Sequence, residues 1–157
     1  MAKAEKTNVM RLLDSRKIPY RFHYYGDTDA VSGTDVASVL GEPPEKVFKT
    51  LVAVGKSRQA YVFVVPVEKE LDLKKAAAAA GEKSMEMLKA KELLPLTGYV
   101  HGGCSPIAMK KPLPTFLDSS AQFQDTICVS AGRIGFQIEI EPSDLTGLTG
   151  ASYRDLT

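Results

Sequence analysis

The chain has 157 residues, of which 44% are hydrophobic and 25% charged, an ordinary soluble composition that supplies a substantial core for one domain over 1–157. Lys and Arg number 20 against 19 Asp and Glu, so a net charge of +1 excludes any global pull toward nucleic acid and leaves only a local basic patch for such binding. Two cysteines, Cys104 and Cys128, are too few for a disulfide framework, and the sequence shows no leader-like or membrane-spanning apolar run; the expected location is the cytoplasm.

Thr7 or Asn8 caps a first helix whose apolar stripe is Val9, Leu12 and Leu13, and Ile18-Pro19 stops it. YRFHYY follows as an alternating strand, with Tyr20, Phe22 and Tyr24 on one face and Arg21, His23 and Tyr25 on the other. Ser32 or Thr34 opens a short helix closed by Gly41. VFKTLVAVG and AYVFVVPV then read as strands covered on both faces. DLKKAAAAAG is a helix with Asp72 as its cap and Gly81 as its stop, its alanines permitting close packing on a sheet. A second helix runs through KAKELL and is expected to end before Pro95. TFLDSS, DTICVSAG and FQIEIE read as strands joined by turns, and PSDLTGLTG closes as a short helix. The expected fold is therefore α/β, a single compact domain with a mixed, mostly antiparallel sheet flanked by helices.

Three places carry chemistry. Lys49 sits within an otherwise apolar strand, although an unpaired ammonium is costly to bury. It either reaches the sheet edge, pairs with a carboxylate such as Glu139, or faces a substrate carbonyl, carboxylate or phosphate. The loop YVHGGCSPIAMKKP contains Gly102 and Gly103, whose consecutive N–H groups can form a nest for an anion or oxyanion, or simply make a tight turn stiffened by Pro106. Cys104 is a buried thiol or a nucleophile with His101 or His23 as its base. Ser130 lies where a strand enters a turn, with a turn-stabilising or a substrate-contacting hydroxyl. Two His and two Cys without metal-ligand spacing make no zinc set, so no metal is expected.

FKTLV, then GGCSP about fifty residues later, then VSAGRIGFQIEI, resembles the YbaK family of free-standing aminoacyl-tRNA deacylases, relatives of the editing domain of bacterial prolyl-tRNA synthetases. The likeness runs from IPYRFHYY to PSDL and looks closest to the branch that clears Cys-tRNA(Pro). The resemblance implies that the family's essential lysine falls on Lys49, beside Thr50. Its Gly-x-x-x-Pro loop falls on Gly102 to Pro106, bringing Gly102, Gly103, Cys104, Ser105 and Pro106 toward the scissile ester. Its serine falls on Ser130 and its tyrosine on Tyr25, with Tyr24 as the neighbouring alternative. It also implies substrate-assisted hydrolysis without a cofactor, a mischarged tRNA as substrate, and prolyl-tRNA synthetase as a partner. Candidate phosphate contacts are Lys110-Lys111, Lys74-Lys75 and Arg133. The rival expectations are a non-catalytic aminoacyl-binding module, a Cys104-dependent hydrolase, and a deacylase for another small aminoacyl-tRNA such as Ala-tRNA(Pro).

Overall fold

A computed structural model describes residues 5–30 and 32–157; the first four residues of the stretch read for a leader, and Val31, lie outside them. Strands β2 (Phe48–Gly55) and β3 (Ala60–Pro66) form an antiparallel hairpin, in register from Phe48 opposite Pro66 to Val54 opposite Ala60. Every residue of β3 is buried, which explains its unbroken apolar run. Val62 and Val64 enter the larger core, while Phe63 and Val65 enter a second one. That second core is roofed by α3 (Leu73–Ala80), whose Ala76 and Ala77 are buried in it. Asp72 accepts hydrogen bonds from the Lys74 and Lys75 amides, and Gly81 ends the helix at φ 73°.

The rest of the chain builds on this hairpin. α1 (Asn8–Ser15) is capped by Thr7 and buries Val9, Met10 and Leu13. β1 (Arg21–Tyr24) is followed by α2 (Gly33–Leu40), capped by Ser32. β4 (Met85–Met87) pairs antiparallel with β2, while β5 (Thr115–Asp118) and β8 (Ser152–Arg154) add parallel strands beyond β3. β6 (Ile127–Arg133) and β7 (Phe136–Ile140) pair antiparallel, with β1 on the far side of β7. α5 (Pro142–Thr149) leads into β8.

The α/β architecture with mostly antiparallel pairing is as expected, with one difference: there are two sheets, ordered β4-β2-β3-β5-β8 and β1-β7-β6. A lone parallel bridge between Val47 and Cys128 joins them. A second difference is α4 (Ala90–Thr97), which continues through Pro95. Proline removes one backbone bond there, but Gly98 still donates to the Leu94 carbonyl and the Thr97 hydroxyl to the Leu93 carbonyl.

Beside the bridge lies a charge network that fixes the sheets against each other. Glu139 on β7 receives His23 Nε2 from β1 at 3.0 Å and Lys46 Nζ from the turn before β2 at 3.0 Å, and also accepts from the Thr126 hydroxyl. Lys46, rather than Lys49, is therefore the partner of Glu139. Burial alone would raise the Glu139 pKa, but the hydrogen bonds from Thr126, His23 and Lys46 outweigh it and hold the group at about 2 against an ordinary 4.5. A depression of that size corresponds to about 3 kcal/mol of folding stability, present above the unfolded-state value and lost as pH falls toward the folded one. Glu139→Gln is expected to lower stability by about 2–3 kcal/mol at pH 7. Denaturant melts should show the gap to wild type closing between pH 4.5 and about 2, the window set by the two pKa values; a gap independent of pH would contradict this role.

Candidate functional site

Where the two sheets diverge beyond the Val47–Cys128 bridge, they leave a cleft of about 310 Å³. The start of β2 supplies one wall through Lys49, Thr50 and Leu51, and Ser130 of β6 and Gln137 of β7 supply the facing one. Val36 of α2, Val67 and Leu93 add apolar surface. At the start of α2, a side chain on Gly33 would come within 2.5 Å of Val67, so glycine lets the helix close down on that residue.

Strand alternation sets which groups face the opening. On the three-stranded sheet, Val129, Phe136 and Ile138 belong to the larger core, which turns the intervening Ser130 and Gln137 toward the other side. Ser130 and Gln137 stand directly opposite one another, and His23 is the partner of Gln137 on β1. Tyr24 packs edge-on against Phe136 at 5.5 Å, whereas Tyr25 lines the cleft. The structure thus separates the two tyrosines that the sequence left adjacent.

Among the described residues that line the cleft, Lys49 is the only Lys, Arg, Asp or Glu. Its side chain is 27% exposed, and its nearest carboxylate is Glu70 at 3.7 Å, itself 97% exposed. Such a long, solvated pair contributes little and leaves the ammonium available to a ligand.

Two further polar groups lack a partner. Among the described residues, three buried side-chain oxygens make no hydrogen bond: Thr50 Oγ1, Ser120 Oγ and Gln137 Oε1. The residues that carry two of these three, Thr50 and Gln137, line this cleft. An unpaired buried polar atom costs about 1–3 kcal/mol, and two such residues at one cavity make it the candidate site. Larger clefts of about 550 and 820 Å³ occur elsewhere, and neither is lined by such an atom. Gln137 was not among the sequence candidates; its signal was a polar residue, 7% exposed in the fold, inside the apolar run FQIEI.

The glycine loop divides into two functions. Gly102, at φ 89°, lines the cleft, as do His101 and Cys104. Among the described residues, the Gly102 and Cys104 amides have no acceptor in the protein. Gly103 is used differently. Its N–H donates to the Val100 carbonyl at 3.0 Å, and a side chain there would approach the Ile134 amide within 3.0 Å. Ser105 is fully buried and its hydroxyl accepts from the Ile107 amide at 3.2 Å. Pro106 lines a separate cleft with Leu12. The structure therefore brings Lys49, Thr50, Tyr25, Gly102, Cys104 and Ser130 to one opening. Gly103, Ser105 and Pro106 shape the loop behind it.

Burial pushes the Cys104 thiol up to about 12, with a smaller opposing effect from Thr97. Roughly one molecule in 10⁵ would carry a thiolate at pH 7, too few for an efficient nucleophile. The alternative base His23 is engaged by Glu139. Nor do His23, Cys128 and Glu139 suit a metal, although their donor atoms lie within 4.8 Å of one another. The Lys46 ammonium already sits 3.0 Å from the same carboxylate, and burial holds the Cys128 thiol up at about 12. Ser130 Oγ accepts from the Gly132 amide at 3.1 Å, which fixes the strand end while its residue faces the cleft.

Residues 28–148 match the model of the aminoacyl-tRNA editing domain. The chain is 45% identical over 154 residues, covering 98% of it and 94% of the relative, to an Enterococcus faecalis protein, EbsC, named as a proposed Cys-tRNA(Pro)/Cys-tRNA(Cys) deacylase. It is 30% identical over 108 residues to a part of the proline–tRNA ligase of Thermosipho africanus, covering 60% of this chain and 19% of that protein. A crystal structure described as that of a proposed trans-editing enzyme for prolyl tRNA synthetase superposes with a TM-score of 0.82 at 26% identity, covering 98% and 99% of the two chains. The chain belongs to the aminoacyl-tRNA editing domain family.

Proposed function

We propose that the protein hydrolyses the aminoacyl ester of mischarged tRNA, with Cys-tRNA(Pro) as its substrate. The observation that carries this reading is the pair of unpartnered oxygens, Thr50 Oγ1 and Gln137 Oε1, in a cleft whose one fixed charge is the Lys49 ammonium. A cysteinyl ester supplies the complementary groups. Its α-ammonium donates to Gln137 Oε1, and its carbonyl and ribose oxygens accept from Lys49 and Thr50. The free Gly102 and Cys104 amides then serve the developing oxyanion.

Among the described residues no carboxylate lines the cleft, and burial favours the protonated Cys104 thiol. A substrate that brings its own nucleophile needs neither. The cysteinyl thiolate attacks its own ester carbonyl, the bond from the carbonyl carbon to the ribose oxygen breaks, and that oxygen takes up a proton. Water then opens the resulting thiolactone to free cysteine. The protein's contribution is orientation and charge stabilisation. Such a second site answers a discrimination problem: differences between small apolar side chains are worth only about 1–3 kcal/mol in a synthetase pocket. Prolyl-tRNA synthetase is the natural source of this mischarged tRNA and the partner we assign, and the cytoplasm is where both would meet the enzyme. None of the helices among the described residues is long and apolar enough to cross a membrane.

The test is release of amino acid from Cys-tRNA(Pro), with Pro-tRNA(Pro) and Ala-tRNA(Pro) alongside. Wild type should release cysteine alone. Lys49→Ala should lower the rate about 10²–10³-fold, the scale of losing one preorganised electrostatic group, while leaving the melting temperature within a degree or two. Cys104→Ser should keep activity within about threefold, because the thiol that reacts belongs to the substrate. Loss of activity in Cys104→Ser with an unchanged fold would instead place the nucleophile on the protein. Gln137→Leu offers an independent check, since it removes an unpaired buried amide. Stability should hold or rise while KM increases about tenfold, the factor for losing one hydrogen bond to a charged group. A destabilised Gln137→Leu with unchanged KM would remove Gln137 from the site.

A further inference from the structure

A second cleft, about 550 Å³, differs from the first in charge. Its lining includes Lys6, Arg11, Lys110 and Arg133 but one carboxylate, Glu5. Four cations against one anion is a strong local excess in a chain whose whole net charge is +1. These charges are only partly committed. Lys6 pairs with Asp14, and Arg133 stands 3.7 Å from Glu5. Arg11 donates to Asn8, and Lys110 has no ion pair among the described residues.

The two openings have no lining residue in common, but nearby residues of one loop and one strand line each of them. His101 and Gly102 face the aminoacyl cleft, and Gly98 and Tyr99 of the same loop face the basic one. Likewise Ser130 faces the first, and Gly132 and Arg133 of the same strand face the second. The loop and strand touch where a side chain on Gly103 would meet the Arg133 carbonyl carbon at 3.2 Å. From Ser130 to Arg133 the chain spans at most about 10 Å. A ligand held in the cleft by its aminoacyl end therefore has a basic surface within a short reach of its tether.

Building on the deacylase reading, we infer that this basic groove carries the phosphate chain of the substrate's RNA as it leaves the aminoacyl cleft over Arg133. An acidic protein could meet the same charges, but the ester in the cleft is covalently joined to RNA, which places phosphates beside the groove in every productive complex. The other basic cleft, with Arg58, Lys89, Lys91 and Lys111, is offset by two carboxylates, Glu86 and Glu92, against the one that lines the groove beside Arg133. The remaining candidate pair, Lys74-Lys75, lies on α3, where Lys75 already pairs with Asp155 at 3.0 Å.

The experiment compares wild type with an Arg11→Glu/Lys110→Glu double variant, both positions exposed and outside the aminoacyl cleft. Each protein is assayed on Cys-tRNA(Pro) and on 3′-cysteinyl-adenosine, across a salt series, with binding of uncharged tRNA(Pro) measured in parallel. Two phosphate contacts carry a combined log–log salt slope of about 1.4–1.8, and about 14- to 30-fold in affinity at 0.15 M salt relative to 1 M. The variant should therefore lose at least about 14-fold in kcat/KM on the tRNA, through KM, with a shallower salt slope. Its activity on cysteinyl-adenosine should be unchanged. Equal losses on both substrates, or an unchanged tRNA slope, would overturn the groove. If wild type hydrolyses neither substrate, the deacylase reading fails separately, and the tRNA binding arm still decides. Weaker, less salt-dependent binding by the variant would uphold the RNA path. Unchanged binding, or tighter binding of polyglutamate than of tRNA by wild type, would overturn it.

Discussion

The structure turns on a seam. Two sheets meet through one parallel bridge, Val47 to Cys128, and separate beyond it. On one side of that bridge the Glu139 network draws β1, β7 and the turn before β2 together. On the other side β2 and β6 leave each other, and side chains that a continuous sheet would have paired or covered are left facing a cavity. Lys49, Thr50, Ser130 and Gln137 are those side chains. The seam thus explains how a half-buried strand can tolerate a lysine: Lys49 lines the cleft that opens beside the bridge.

A cavity built this way has a particular chemistry. It is apolar on several sides and carries one ammonium without a strong counter-ion. It offers free backbone amides and residues with unpaired side-chain oxygens, and no carboxylate is among its described lining residues. Such a site is suited to hold an activated ester and stabilise charge on it, and poorly suited to generate a nucleophile of its own. An aminoacyl ester with a reactive side chain matches that division of labour. The unpaired oxygens cost folding free energy in the free protein, which a site retains when its ligand restores the bonds.

Much of this frame was legible in the sequence because it depends on local rules. The Asp72 cap and Gly81 stop fixed α3, period-two alternation put Tyr24 and Tyr25 on opposite faces, and the apolar run of β3 announced burial on both sides. The misses are non-local. The three-residue strands β4 and β8 are too short to carry a pattern and exist by pairing with β2 and β5. Whether the strands make one sheet or two depends on where hydrogen bonding stops, which no single segment encodes. Lys46 took Glu139 in place of Lys49 because the turn before β2 brings it there. Gly102 and Gly103 look alike in sequence, yet the turn spends the amide of one and leaves the other free. Gln137 stood out only as one polar residue among apolar neighbours, and its meaning came from the absence of a partner in the fold.

The most direct measurement is a crystal structure with a non-hydrolysable amide analogue of 3′-cysteinyl-adenosine. The analogue is expected at the seam, with its α-amino group on Gln137 Oε1, a polar atom on Thr50 Oγ1 and the Lys49 ammonium on its carbonyl or ribose oxygens. An analogue bound elsewhere, with Thr50 and Gln137 still unpaired, would overturn the assignment of the aminoacyl site to this cleft.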